Sequence, residues 1–174
     1  MNHCTSTIAK AGGLLLWGLA SCGGPDEAPI VGFGINLAGA EFGAHERDFS
    51  NENPGDHGQE YLFPRKETMA YFASRGLRIV RLPILWERLQ PILGAGLDQA
   101  YTGRVLEQLD TAAFYGCKVV LDLHNHGRYR VSDRGRAHEF VLGEPQDGAQ
   151  GLRSEHLSDL WLRLGSHVRE HPAL

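Results

Sequence analysis

The chain has 174 residues, 42% of them hydrophobic, which is enough for one domain with a packed core. Its formal net charge of -4 and the lack of a basic run argue against a nucleic-acid partner. The three cysteines are Cys4, Cys22 and Cys117, and only Cys117 lies in the predicted domain, so no disulfide is expected within it.

The amino terminus predicts a leader rather than part of the fold. The apolar stretch 11–20 is too short to span a bilayer but suits the core of a signal peptide. It ends in Leu19-Ala20-Ser21-Cys22, which resembles a bacterial lipobox with Cys22 as the lipidated residue. A plain secretory signal with an incidental cysteine is the alternative. We therefore divide the chain into a lipoprotein signal peptide (1–21), a flexible tether (22–31) and a domain (32–174).

This division predicts an extracytoplasmic protein, anchored at the outer membrane or cell surface or otherwise secreted. The lipid on Cys22 is its only expected contact with a membrane.

The domain alternates short apolar runs with amphipathic stretches. Strands are predicted at 30–37, 77–83 and 118–123, with pairing expected to end at Pro83, which lacks a backbone N–H. Helices are predicted at 65–75, 98–115 and from Ser154 to about Val168. The stretch 38–43 is predicted to be a glycine-rich turn, and the stretches 45–64 and 132–153 are predicted to be long loops.

One pattern recurs 40 residues apart, at Gly76 and Gly116. It consists of a helix, a glycine that ends the helix, a basic residue and a β-branched run. Repeated units of this kind predict a parallel sheet with right-handed crossovers. The long loops follow strands and the short ones follow helices. This asymmetry favours an α/β fold of the (β/α)₈ TIM barrel type, with a doubly wound open sheet as the alternative.

Candidate site residues gather after the predicted strands, where parallel α/β folds carry their function. Arg81 near the end of the second strand is either part of a structural ion pair or aimed at a pocket. Trp86 and Tyr129 follow strand ends, where an aromatic face could contact a sugar ring, although such residues are more often core. His124 and Asn125 are predicted to be polar pocket residues.

His124 and His126 also form an H-x-H pair, a spacing that can bind zinc when both side chains lie on one strand face. Gly127 follows at once, so strand geometry could already be lost at His126. No metal site and no cofactor are therefore predicted. A metal-dependent barrel hydrolase that uses these two histidines stays an alternative.

Three segments in order resemble glycoside hydrolase family 5, in particular its cellulase branch. They are 34–43, 76–91 with Arg81-Leu82-Pro83 and Trp86, and 120–129 with His124-Asn125-His126. The resemblance implies a (β/α)₈ barrel that hydrolyses O-glycosyl bonds of β-glucans with retention, using an acid and a nucleophile about 5 Å apart. It further implies that Arg81 supports the nucleophile and that His124 and Asn125 line the sugar site. Because they follow strand ends, Trp86 and Tyr129 are expected at the rim of this site, in contact with the substrate.

The same resemblance places both catalytic glutamates after later strands, beyond Leu174, with the acid in an Asn-Glu-Pro motif. Gly143-Glu144-Pro145 lacks the asparagine and lies too close to the third strand for a crossover helix. Glu41, Glu87 and Glu139 match no family role. The chain is therefore expected to supply about three βα units of the barrel and to hydrolyse nothing alone.

The expected partner is a β-glucan, and the protein is expected to be a monomer. A non-catalytic glycan-binding lipoprotein is the remaining alternative. For three isolated βα units, an unpaired sheet edge predicts poor solubility.

Overall fold

The computed structural model describes residues 32–145 and 151–174. The predicted signal peptide, the tether and Cys22 lie outside these residues. The elements, in chain order, are β1 (Gly34–Asn36), α1 (Lys66–Ser74), β2 (Ile79–Ile84), α2 (Trp86–Leu89), α3 (Gln99–Phe114), β3 (Lys118–Leu123), β4 (Arg128–Asp133), β5 (Arg136–Val141) and α4 (Ser154–Val168). Among the described helices, none has the length and apolar character needed to cross a membrane.

The first three strands form one parallel sheet in the order β1-β2-β3. Asn36 pairs with Arg81, and Arg81 pairs with Val120 on its other side. Each crossover between neighbouring strands contains a helix. The predicted parallel α/β architecture is therefore confirmed, and the described residues supply three successive βα units.

One face of the sheet packs against the helices. Val80, Leu82 and Ile84 alternate along β2 and are almost fully buried. On α3, the apolar residues recur at helical spacing and are buried as well, including Val105 and Leu109. Burying a side chain of this size contributes about 1.5–3 kcal/mol, so this interface is the main source of stability.

Helix boundaries follow from capping chemistry. Asp98 caps α3 by accepting a 2.7 Å hydrogen bond from the N–H of Tyr101. Gly76 and Gly116 follow α1 and α3 with φ of 81° and 64°, the left-handed conformation in which glycine avoids steric cost. These stops confirm the predicted repeat.

Three predicted elements need correction. Within the described residues, the first strand is Gly34–Asn36, which is shorter than predicted. Pairing does not end at Pro83, which stays opposite Asp122 in the parallel ladder as β2 runs on to Ile84. The stretch 132–153 is not one loop.

An antiparallel hairpin of β4 and β5 starts before that stretch, at Arg128, extends into it as far as Val141 and turns at Arg134 and Gly135. Both turn residues have positive φ, 51° and 75°, as a tight two-residue hairpin turn requires. The hairpin stands directly after β3, at the end of the sheet where the candidate site lies.

Candidate active site

The sheet register brings the polar residues of its open face together. Arg81 of β2 donates from Nη1 to Asn36 Oδ1 at 2.7 Å and from Nη2 to Asp122 Oδ2 at 2.6 Å. The same Nη2 lies 2.9 Å from His124 Nδ1. Arg81 and His124 therefore lie within hydrogen-bond distance of each other at the carboxyl end of the sheet. Arg81 is ion-paired with Asp122 and yet 39% exposed, so it can still meet a ligand.

His124 is held from two sides. Its Nδ1 lies 2.9 Å from Asp122 Oδ2 and 2.9 Å from Arg81 Nη2. A guanidinium only donates and a carboxylate only accepts, so Nδ1 can bond fully to one of them at a time. These two contacts hold the ring in place whichever ring nitrogen carries the proton. The backbone is held as well, because the His124 N–H donates to Ile84 O at 2.9 Å.

The turn after β3 is tied down through Asn125. Its Oδ1 accepts from the Trp86 N–H at 2.7 Å, and its Nδ2 donates to Glu87 Oε2 at 2.6 Å. Glu87 Oε1 accepts in turn from the Arg130 N–H at 2.7 Å. Burial raises the pKa of the Glu87 carboxyl, against hydrogen bonds that favour its charged form.

Trp86 and Tyr129 do not lie at the rim of the site, contrary to prediction. Trp86 is 1% exposed and Tyr129 is not exposed at all, and their rings meet edge to face with centroids 5.5 Å apart. Trp86 Nε1 donates to Gln90 Oε1 at 3.1 Å, and the Tyr129 hydroxyl lies 2.8 Å from the carbonyl oxygens of Gln90 and Pro91. Both side chains belong to the core beneath the site, and neither has a free face for a sugar.

A cleft of about 460 Å³ opens beside His124, between the hairpin and the loop after β1. It is lined by Glu41, Phe42, Ala44, His45, Phe49, Leu85, Glu87, His124, Asn125, His126, Arg128, Arg130 and Glu139. Its walls thus combine histidines, arginines and an exposed phenylalanine, a mixture that suits a polar ligand with a flat apolar face.

The three glutamates of the cleft have structural partners. Glu41 accepts from the Gly39 N–H at 2.7 Å, and Glu139 pairs with Arg128 and Arg130. Glu87 is bonded as described above. Glu144 is exposed just beyond β5. No feature of these contacts assigns any of them an acid or nucleophile role.

The segment after α4 returns to the sheet without adding a carboxyl group to the cleft. The carbonyl oxygen of Ala173 accepts from the Val119 N–H at 2.6 Å, and the Leu174 N–H donates to His171 O at 3.0 Å. Leu174 itself is 44% exposed. Because both catalytic glutamates are expected beyond Leu174, they lie outside the described residues and stay a prediction.

The H-x-H pair does not sit on one strand face. β3 ends at Leu123, and His126 has a φ of 52° in the turn. The two rings do touch, with centroids 4.6 Å apart. Within residues 32–145 and 151–174, however, no three histidine, cysteine, aspartate or glutamate side chains are grouped to hold a metal ion.

Sequence reasoning missed Asp122, Asn36 and Glu87. Asp122 could have been predicted from the alternation of side chains along the strand. Residues two apart on a strand share a face, and Asp122 is two residues before His124. Asn36 depends on the register between β1 and β2. Glu87 depends on a hairpin that was not predicted, so neither could be found in this way.

Comparison with known proteins agrees with this geometry. The sequence model of the cellulase family, glycosyl hydrolase family 5, matches residues 32–164, more than half of the chain. A probable endo-beta-1,4-glucanase B of Neosartorya fischeri is 36% identical over 98 residues, which are 56% of this chain and 28% of that protein.

Solved structures show the same relationship. Pseudomonas stutzeri endoglucanase Cel5A in complex with cellobiose matches with a TM-score of 0.65 and 32% identity, over 82% of this chain and 37% of that one. The endo-beta-1,4-glucanase Xac0029 of Xanthomonas axonopodis pv. citri matches with a TM-score of 0.61 and 32% identity, over 76% and 36%. The chain thus spans well under half the length of these relatives. By its sequence and by its fold, it belongs to the cellulase family, glycosyl hydrolase family 5.

Proposed function

We propose that the chain supplies part of the sugar site of a retaining β-1,4-glucan hydrolase. The observation that carries this proposal is the contact of Arg81 with Asp122 and His124 at the carboxyl end of the sheet, beside an open cleft. Relatives described as endo-beta-1,4-glucanases, one of them solved with cellobiose, support this substrate class.

The proposed chemistry assigns supporting roles to these residues. Retaining hydrolysis needs one carboxyl group to protonate the leaving oxygen and a second to attack the anomeric carbon. A guanidinium near the attacking carboxylate keeps it ionised and oriented, which is the role we assign to Arg81. His124 is placed to hydrogen-bond a sugar hydroxyl. Since the glutamates of the cleft have structural partners, the chain alone should hydrolyse no glycosidic bond.

The test compares two proteins on soluble β-1,4-glucan, by release of reducing ends. The chain alone should release none. A longer protein that contains these residues and eight βα units should be active, and Arg81→Ala should lower its kcat by at least about 100-fold with an unchanged circular dichroism spectrum. Arg136→Ala, an exposed arginine of the hairpin, is the matched control.

Sustained hydrolysis by the chain alone would contradict the proposal and show that it holds the catalytic carboxylates. Glu41, Glu87, Glu139 and Glu144 would then be replaced by glutamine one at a time. An unchanged kcat in Arg81→Ala would contradict the role of that arginine.

We further propose that Cys22 carries a lipid that anchors the protein outside the cytoplasm. The support is the tetrapeptide Leu19-Ala20-Ser21-Cys22 after an apolar stretch. Metabolic labelling with a fatty-acid analogue should tag the protein and should fail in Cys22→Ala. Labelling that persists in this variant would leave a plain secretory signal as the better interpretation.

A further inference from the structure

Both polar atoms of the side chain next to His124 make internal hydrogen bonds. Asn125 is 9% exposed, and both atoms of its amide group are committed, Oδ1 to the Trp86 N–H and Nδ2 to Glu87. An asparagine bonded in this way has little capacity left for a sugar hydroxyl. Its place in the site therefore calls for another role.

Glu87 is buried at 2% exposure and joins three separate segments of the chain. It belongs to α2, its Oε2 accepts from Asn125 in the turn after β3, and its Oε1 accepts from the backbone N–H of Arg130 in β4. Both oxygens accept and neither faces an acceptor, so the bonding pattern is that of the ionised carboxylate.

Stability alone does not explain such a carboxylate. Burying a charge costs free energy, and apolar side chains of similar volume usually fill such a position at no loss of stability. What a carboxylate adds is direction, because it accepts bonds only from donors placed along its lone pairs. The two donors, the Asn125 amide group and the Arg130 N–H, lie on either side of the turn His126-Gly127. The φ angles of this turn, 52° and 70°, make the backbone reverse sharply.

We infer that Glu87 and Asn125 together are positioning residues that set the orientation of His124 in the cleft. The Asn125 amide group fixes the residue directly after His124 against α2, while Arg130 fixes the start of the hairpin against the same carboxylate. His124 then keeps its Nδ1 within 2.9 Å of both Arg81 and Asp122. That His124 serves a sugar site rests on the proposed function, whereas the positioning itself does not.

The bond pattern offers an exchange test. In Glu87→Gln, an amide N–H₂ faces either the Asn125 N–H₂ or the Arg130 N–H. In Asn125→Asp, two carboxylates face each other. The double variant Glu87→Gln/Asn125→Asp reverses the donor and the acceptor. Its new glutamine amide can donate to the new aspartate and still accept from the Arg130 N–H, while that aspartate still accepts from the Trp86 N–H.

The readout is the pair of ring-nitrogen resonances of His124 in the purified chain labelled with ¹⁵N-histidine, assigned by their loss in His124→Gln. Each single variant should shift these resonances, and the double variant should return them to their wild-type positions. Asp159→Asn is the control, since it breaks another carboxylate–amide bond, 2.8 Å to Gln90 Nε2, and should leave His124 unchanged.

Two results would overturn the inference: unmoved His124 resonances in folded single variants, or shifted resonances in a folded double variant. If a single variant fails to fold, the test rests on the double variant. Only an exchange of donor and acceptor between positions 87 and 125 restores both the circular dichroism spectrum and the His124 signals. No substrate is involved, so failure here is distinct from failure of the proposed hydrolase activity.

Discussion

Arg88 holds a long loop in place, and it has no carboxylate partner among the described residues. It is 3% exposed and donates to three backbone carbonyl oxygens, those of Ala40, Phe42 and Pro54, each at 2.7 Å. Its guanidinium carbon also lies 3.8 Å from the centroid of the Tyr61 ring. Burial lowers the pKa of Arg88, but a guanidinium stays charged in proteins. The loop after β1, which forms one wall of the cleft, therefore depends on this side chain.

We expect Arg88→Met to lower the free energy of unfolding by roughly 3 kcal/mol, because three carbonyl groups, one buried and two partly buried, lose a charged donor at once. Urea denaturation followed by circular dichroism would measure it. Arg136→Met removes an exposed arginine and should change the free energy by less than about 0.5 kcal/mol. Equal effects of the two substitutions would show that the loop does not depend on Arg88.

Among the individual residues, the sequence predicted the position of Arg81 and His124 at the strand ends but not the burial of Trp86. Arg81 and His124 lie at or just past strand ends, where alternation along the strand decides which face a residue takes. The burial of Trp86 is instead decided by Tyr129, which covers it from β4. A contact between residues of distant segments leaves no periodic trace in the sequence.

Among the elements, the parallel strands and long helices were predictable and the hairpin was not. Helices α1 and α3 carry glycine stops and apolar stripes that can be read directly. Strands β4 and β5 are rich in arginine, histidine and glutamate, with few of the β-branched residues that signal a strand. Their tight turn contains Arg134-Gly135, and arginine is an uncommon residue with positive φ. Pairing across the hairpin therefore overrides weak local preferences.

Two glycine substitutions, one in β1 and one in α3, should change the stability of the fold in opposite directions. In β1, a Cβ on Gly34 would lie 2.6 Å from Ile79 O, a backbone atom of β2 that cannot move away without breaking the ladder. Gly34→Ala should therefore destabilise the fold, by about 1–3 kcal/mol. In α3, a Cβ on Gly103 meets nothing within 4 Å. Gly103→Ala should stabilise the fold by about 0.5–1 kcal/mol, because alanine loses less backbone entropy in a helix.

Thermal unfolding of the two variants beside the wild type would measure this pair of effects. The midpoint should fall for Gly34→Ala and rise for Gly103→Ala. A fall for both would mean that Gly103 is needed by a neighbour that the described residues do not show. A rise for both would mean that β1 does not pair closely with β2.

For the molecule as a whole, the sheet of the described residues has one face packed and one face open. Val120, in the middle of β3 and opposite Arg81, is 55% exposed. On the outer side of β3, the Val119 N–H donates to Ala173 O at 2.6 Å, and Lys118 Nζ donates to Pro172 O at 2.9 Å. The chain therefore begins to pair with this edge, at the first residues of the strand only.

Because the solved relatives are more than twice as long as the portion matched here, their chains have more residues with which to cover such surfaces. Within the described residues, the edge of the apolar strand β3 is largely unpaired, and such an edge is a template for pairing with another copy. We therefore expect the isolated chain to self-associate through β3.

Val120→Glu should reduce this association. A charge on an edge strand disfavours pairing with another copy, and here it would also stand directly across from Arg81, where an opposite charge is tolerated or mildly stabilising. Sedimentation velocity over a range of concentrations should show a larger monomer fraction for Val120→Glu than for the wild type.

Leu162→Glu is the matched control, since Leu162 is 76% exposed on α4, away from the sheet. If Leu162→Glu raised the monomer fraction as much, general surface hydrophobicity would explain the association. If the wild type were monomeric throughout, the edge of β3 would have to be covered by some other part of the chain.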